Sequence, residues 1–319
     1  MAAGSPLTGG ARAAAAVWVH RLAVLTAGAT LMLIFVGGVV TNTGSALAVP
    51  DWPTTFGHPM FLYPWSHMVG GILYEHSHRL VGSLVGLLTV VLAVGLWRAA
   101  PRGWLRGLGM LAVGAVIAQG VLGGLRVVLL QTTLAIVHGV FAQTFFALIA
   151  GLAVCTSREW AAAPRGAAPA GGAPLRRLCL LTLGSIYLQI VLGAVVTHTG
   201  AQRHAHLLVA VLVAAQVAWL AARVLGPHGD RPAIARPARL LAGLVIAQLF
   251  LGAGAFLGRF TALGAAMAPP LALAFPVLHR VVGTLLLGTS LVLALRVSRL
   301  PGSPEAAMVG RRLPGQVPA

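Results

Sequence analysis

Residues 75–97, EHSHRLVGSLVGLLTVVLAVGLW, join a polar head to an apolar run that is long enough to cross a membrane as a helix. A bilayer core requires ~20 apolar residues in helical form, and no charged residue lies between Arg79 and Arg98. The head holds a carboxylate, two imidazoles and a guanidinium, although only 8% of the chain is charged. Ionisable groups are costly in membranes, so such a cluster indicates a functional site.

Apolar runs of this kind recur along the whole chain. The 319 residues are 58% hydrophobic, which excludes a soluble globular domain. We predict an all-α membrane protein with eight transmembrane helices, at residues 18–40, 76–97, 104–126, 132–154, 178–198, 204–224, 238–258 and 272–295. The first is expected to be a retained helix, because no clear cleavage site follows it.

The net charge of +17 is better explained by the orientation of the chain in the membrane than by nucleic-acid binding. Of the 22 basic residues, all arginine, 17 lie on one side of the predicted helices. Basic residues favour the cytoplasmic side, so both termini are predicted to be cytoplasmic. The lipid bilayer is the predicted partner, and no nucleic acid is expected to bind. Cys155 and Cys179 fall near the same side, where thiols stay reduced, and we expect no disulfide.

The chain repeats itself across a segment rich in Pro, Gly and Ala. Four motifs recur in the same order: VGGVVTNTG (36–44) with LGAVVTHTG (192–200), EHSHRLVG (75–82) with RHAHLLVA (203–210), VIAQGVLGG (116–124) with VIAQLFLGA (245–253), and AIVHGVFA (135–142) with PVLHRVVG (276–283). Each unit has an even number of spans, so we predict two four-helix bundles as parallel repeats. The predicted parts are an N-terminal half (1–156), a cytoplasmic linker (157–175), a C-terminal half (176–300) and a cytoplasmic tail (301–319).

Each half keeps one histidine in its second helix and one in its fourth. The pairs are His78 with His138, and His206 with His279. Two facing imidazoles can hold a planar metal cofactor from both sides, whereas a metal held by protein alone usually has three or four protein ligands. Haem supplies four nitrogens of its own and therefore fits best. The alternative is a helix–helix hydrogen bond, the ordinary role of a single intramembrane histidine.

Two further histidines, His76 and His204, precede proposed ligands by two residues. At ~100° per residue they point about 200° away and cannot share one iron with their neighbours. We choose His78 and His206, the deeper member of each pair.

The outer charges suggest how the halves differ. Arginines near the predicted outer helix ends could bind haem propionates or extend to the membrane interface as snorkelling side chains. They are Arg79, Arg126, Arg203 and Arg280. Glu75 corresponds to Arg203 in the second half, and its spacing from His78 places both on one helix face. A carboxylate beside a cofactor can accept a proton or stabilise developing positive charge. The first half is thus predicted to carry chemistry, and the second a permanently bound haem.

These residues resemble the haem A synthases over nearly the whole chain. The resemblance rests on VGGVVTNTGSAL (36–47), PDWP (50–53), EHSHR (75–79) and the single histidines of helices 4, 6 and 8. It implies an oxidoreductase that converts a methyl group of haem O to a formyl group, giving haem A for cytochrome oxidase. Glu75, His78 and His138 would then belong to the substrate-haem site, while His206 and His279 would ligate a resident haem b.

The resemblance also implies a setting. The protein would lie in a bacterial cell membrane and work with a haem O synthase, cytochrome oxidase assembly factors and an electron acceptor; a homo-oligomer is left open. Many bacterial members carry a cysteine pair in the first outer loop, but here Val49 precedes PDWP and the loop has no cysteine. The main alternative is a cytochrome with two haem b groups that only transfers electrons, which explains the histidines but not Glu75.

Overall fold

The computed structural model describes residues 9–99, 102–162 and 173–300, and within them the backbone is almost entirely helical. The described α-helices, numbered in chain order, are α1 (Gly9–Asn42), α2 (Gly70–Ala99), α3 (Gly103–Leu129), α4 (Thr132–Thr156), α5 (Arg158–Ala162), α6 (Ala173–Thr199), α7 (Arg203–His228), α8 (Pro232–Phe260) and α9 (Pro269–Val297). Short 3-10 helices lie in the connections between α1 and α2 and between α8 and α9, at Met60–Leu62, Trp65–His67 and Ala262–Ala266.

Eight of the described helices, all except α5, are long and apolar enough to span a membrane. The shortest of them, α4, has 25 residues, or ~38 Å at 1.5 Å per residue, which exceeds the ~30 Å of a bilayer core. The predicted all-α membrane fold with eight spans is confirmed. The parallel-repeat arrangement of the two halves stays a prediction.

The helices extend beyond the apolar runs that predicted them. Helix α2 begins at Gly70, although its apolar run was placed from residue 76, and α8 begins at Pro232. Hydropathy marks only the part of a helix that suits hydrocarbon, whereas backbone hydrogen bonds continue through polar residues at its ends. The polar head of α2 therefore belongs to the helix itself and projects its side chains from a regular scaffold.

The segment predicted as a linker contains helical ends where the structure describes it. Residues 158–162 form α5, and α6 begins at Ala173. Trp160 of α5 is buried, and the Arg299 guanidinium lies 4.1 Å from its ring centroid. Residues 163–172 and the predicted tail, 301–319, lie outside the described residues.

Each group of helices has its own apolar core. In α1–α5 it includes Leu92, Leu96 and Ile149, and in α6–α9 it includes Leu220 and Ile234. Burying a large aliphatic side chain contributes ~1.5–3 kcal/mol against leaving it exposed to water, and in lipid the gain comes mainly from close packing. Helices α1 and α4 also pack on α9, and α4 packs on α6, which joins the two groups.

The orientation in the membrane can be tested with single cysteines in a chain whose buried Cys155 and Cys179 are replaced by alanine. Ser66 is exposed in the predicted outer loop and Ser298 is exposed at the predicted cytoplasmic end of α9. We expect a membrane-impermeant maleimide to label Ser66→Cys in intact cells and Ser298→Cys only after permeabilisation. The reverse pattern would contradict cytoplasmic termini.

Candidate functional site

The structure brings the four proposed histidine ligands together as two pairs. The ring centroids of His78 on α2 and His138 on α4 are 6.5 Å apart, with an interplanar angle of 77°. Those of His206 on α7 and His279 on α9 are 6.3 Å apart, at 70°. Each pair therefore joins the second and fourth helices of its half, and the two pairs have nearly the same geometry.

These separations suit an iron held between two imidazoles. A ring nitrogen binds a metal at ~2.0–2.1 Å, which puts the centroids of two rings on opposite sides of the metal about 6 Å apart. In the described residues no cluster of three or more His, Cys, Asp or Glu side chains could hold a bare ion. The two pairs thus fit a cofactor that brings its own equatorial ligands, as haem does.

The hydrogen bonds of the ring nitrogens bear on which nitrogen could bind a metal. The Nδ1 atoms of His78, His138 and His206 are buried without a hydrogen bond of good geometry. Buried polar atoms without partners are uncommon, and each calls for an explanation. In the fourth histidine, His279, Nδ1 lies 3.1 Å from the Gln248 carbonyl oxygen, which favours the tautomer that carries hydrogen on Nδ1. That tautomer leaves Nε2, which Gln248 Nε2 approaches at 3.3 Å, as the nitrogen that could bind a metal.

Every histidine of the two pairs stands against a glycine of the preceding helix. A Cβ atom added to the glycine would lie 2.8–3.1 Å from the ring's Cε1 atom in each of the four contacts, which are Gly37 with His78, Gly123 with His138, Gly193 with His206, and Gly252 with His279. Only a glycine leaves room for the ring at this distance. Sequence reasoning missed these contacts, although the glycines recur in the matched motifs and could have been found there.

Glutamines on the same preceding helices also reach the histidines. Gln189 Nε2 donates to the His206 carbonyl oxygen at 2.9 Å, and Gln119 Nε2 donates to that of His138 at 3.0 Å. Gln248 Nε2 lies 3.3 Å from His279 Nε2. These side chains were not predicted, and they fix where the histidine-bearing helices sit against their neighbours.

Glu75 lies buried beneath the first outer loop, residues 43–69. Its Oε2 accepts a hydrogen bond from the Val49 amide at 2.9 Å, and its Oε1 accepts one from Arg79 Nη2 at 2.9 Å. Arg79 also donates to the carbonyl oxygens of Val49, Asp51 and Thr54. The ion pair therefore fastens the loop to α2. The proposed propionate contact of Arg79 stays a prediction, but its terminal nitrogens already have loop partners.

The loop has a second anchor at Asp51, which lies between the membrane-spanning segments. Its carboxylate accepts hydrogen bonds from the Phe56 and Gly57 amides and from the Thr54 hydroxyl. Partial burial would raise the pKa of Asp51, but these hydrogen bonds outweigh it and lower the pKa to about 2. Since the depressed pKa keeps the carboxylate charged above about pH 4, the turn keeps its hydrogen bonds at neutral pH.

The histidines left out of the pairs have other surroundings. His76 is buried, its Nδ1 lies 3.1 Å from the Thr55 hydroxyl, and its ring packs on Tyr63. His204 is exposed at the start of α7. Neither residue joins its neighbouring ligand candidate, as their spacing in the sequence predicts. The loop also places Trp52 against Gly124, beside the Gly123–His138 contact.

The remaining proposed arginines differ in what they contact. Arg203 lies over the Phe260 ring, 4.9 Å from its centroid. Arg280 leaves its own half, because its Nη1 donates to the Thr41 hydroxyl at 3.3 Å and faces the Gly37 carbonyl oxygen at 3.5 Å, both on α1. Arg126 is half-buried, and the Glu75 carboxylate acts on its charge. Their roles as haem contacts stay predictions.

The fold and the paired histidines define a helical membrane protein with two sites suited to haem. Residues 20–205, more than half of the chain, match the family model COX15-CtaA, described as cytochrome oxidase assembly protein. The chain belongs to this family, which confirms the resemblance inferred from its motifs.

Three relatives carry the name heme A synthase. Those of Shouchella clausii and Alkalihalophilus pseudofirmus are 32% and 33% identical, over 57% and 44% of this chain. That of Beijerinckia indica is 30% identical over 60% of this chain. The chain spans 60%, 48% and 60% of the lengths of these relatives, in the same order.

Proposed function

We propose that this protein is a haem A synthase, an oxidoreductase that converts a methyl group of haem O into the formyl group of haem A. The observation that carries the proposal is the pair of equivalent bis-histidine geometries, of which one has Glu75 three residues before its first histidine and the other has Arg203 at the matching position. His78 and His138 would hold the substrate haem, and His206 and His279 would hold a resident haem b. The relatives named heme A synthase support the proposed reaction.

The carboxylate gives the first half its chemical role. Oxidation of the methyl group to an alcohol takes its oxygen from a water molecule and releases two electrons and two protons, and oxidation of the alcohol to an aldehyde releases two more of each. The electrons pass to an external electron acceptor. Glu75 is three residues from His78 on α2 and shares its helix face. We assign Glu75 to accept a proton, or to stabilise positive charge, during these steps.

The second half has Arg203 where the first has Glu75, and therefore lacks that group. A haem b held by two histidines supplies one-electron transfer when it is bound. His206 and His279 would fix its position, and Gln189 and Gln248 would hold the helices that carry them.

Arg79 receives a different role from the one its position in the sequence suggested. Because it pairs with Glu75 and donates to three loop carbonyls, we propose that it fastens the outer loop over the substrate site. This noncovalent attachment would take the place of a cysteine cross-link in a loop that has no cysteine.

The setting follows from the family. We propose that the protein lies in a bacterial plasma membrane with cytoplasmic termini, receives haem O from a haem O synthase and acts with cytochrome oxidase assembly factors.

The function is tested by the haem products of cells that express the protein. With a source of haem O, extracted haem should contain haem A by chromatography; without that source it should not. A protein that binds haem b but never yields haem A from haem O would be an electron-transfer cytochrome instead.

A further inference from the structure

Arg280 connects the two halves at the level of the histidine pairs. It follows His279 on α9, yet its guanidinium contacts Thr41 and Gly37 of α1. Gly37 is the glycine against which the His78 ring packs. A side chain that the sequence assigns to the second half therefore ends beside the first-half site.

Arg126 approaches the same place from α3, one helical turn beyond Gly123, the glycine against which the His138 ring packs. The charges of Arg126 and Arg280 act on each other and on His78, and the Glu75 carboxylate acts on Arg126. Among the described residues the ion pairs are Arg79 with Glu75 and Arg296 with Glu159, so Glu75 contacts Arg79 directly and attracts Arg126 only from farther away. Two guanidiniums at one site inside a membrane protein, with no described carboxylate in contact with either, favour an anionic ligand.

Neither arginine has a matching arginine in the other half. Arg280 corresponds to Gly139 in the first half, and Arg126 corresponds to Ala255 in the second. Neither charge is therefore required to hold a haem between two histidines, since each half has a histidine pair but only one of these arginines. Their common location indicates a feature that belongs to one site.

We propose that Arg126 and Arg280 form a clamp for the carboxylates of the haem in the first-half site, with one arginine supplied by each half. This rests on the proposed function, in which haem O binds between His78 and His138. Arginine binds carboxylates through two parallel hydrogen bonds, and the two propionates of haem provide two such groups. Substrate binding in the first half then requires α9 of the second.

The clamp is tested by haem titration of purified full-length protein with one site disabled at a time. The probes are iron protoporphyrin IX and its dimethyl ester, which lacks the propionate charges. In a His206→Ala background, Arg126→Gln and Arg280→Gln should each weaken binding of the free acid on the order of tenfold to a hundredfold, the worth of a charged hydrogen bond. Binding of the ester should change by less than about twofold, which also separates a lost contact from a folding defect.

A His78→Ala background reports the second site alone. There, Arg280→Gln should leave haem affinity unchanged within about twofold. The matched control is Arg259→Gln, because Arg259 lies at the outer end of α8 and donates to the Thr197 carbonyl oxygen within the second half. It should affect neither probe at the first site.

Two outcomes would overturn the clamp alone: equal weakening of the free acid and the ester, or an Arg280→Gln effect confined to the His78→Ala background. Failure of the His206→Ala parent to bind any haem would instead overturn the proposed function together with the clamp.

Discussion

Replacing His279 or His206 by alanine is expected to remove most of the resident haem b from the purified protein. Each variant loses one of the two histidines that would hold the haem, and even outer groups that merely orient a metal ligand affect metal affinity by about 10–100-fold. The haem affinity is therefore expected to fall on the order of 100-fold or more. The measurements would show a lower ratio of haem to protein and weaker low-spin absorption bands. Membrane insertion should persist, because neither histidine contributes to the apolar core of its half.

The packing of His279 on Gly252 allows the same site to be disturbed without removing a ligand. A Cβ at Gly252 would lie 2.8 Å from the ring's Cε1 atom, so Gly252→Val must displace the imidazole and should also reduce haem binding. Gly243 lies on the same helix, and a Cβ there would meet nothing within 4 Å. Gly243→Val is thus the matched control and should keep its haem. Full haem retention in His206→Ala and His279→Ala would point to His204 or to the first half as the resident site.

The spans and the histidine pairs could be predicted because both depend on local sequence. A long apolar run predicts a spanning helix wherever it occurs, and a repeat in register predicts which histidines correspond. Helical geometry shows that His76 and His78 cannot share one iron, and depth in the membrane favours His78. In the structure His78 faces His138, while His76 lies under the loop against Tyr63.

The contacts that cross between elements could not be predicted. Arg79 follows a proposed ligand directly and was assigned to a propionate, but its partners are loop carbonyls 25 to 30 residues earlier. Arg280 directly follows His279 and was proposed as a propionate contact, but it reaches α1, more than 200 residues away. Both outcomes depend on how helices and loops pack in three dimensions, which a helical period does not specify.

The two halves consequently share a histidine pair but not the surroundings of that pair. The histidine and glycine contacts recur in both, whereas Glu75, Arg126 and Arg280 do not. The recurring residues would account for binding, and the unmatched ones for what happens to the substrate. Changing an unmatched residue is therefore expected to reduce the reaction while haem binding persists.

Glu75→Gln is expected to produce that separation. Glutamine keeps the size of the side chain and an oxygen that can accept the Val49 amide hydrogen bond, but it removes the negative charge. Positioned acids and bases contribute about 100-fold to 10,000-fold to a rate, and stabilisation of a developing charge acts mainly in the transition state. Haem A formation should fall on the order of 100-fold or more, with hydroxymethyl haem accumulating, while protein level and resident haem b stay near those of the unmodified protein.

The ion pair with Arg79 supplies the necessary control, because Glu75→Gln also weakens the attachment of the outer loop. Arg79→Gln breaks the same pair and further loop contacts, yet keeps the carboxylate. If Glu75 acts chemically, Arg79→Gln should retain much more haem A formation than Glu75→Gln, as measured by chromatography of haem O, hydroxymethyl haem and haem A. Equal losses in the two variants would assign Glu75 to loop attachment, and unmodified haem A levels in Glu75→Gln would remove it from the reaction altogether.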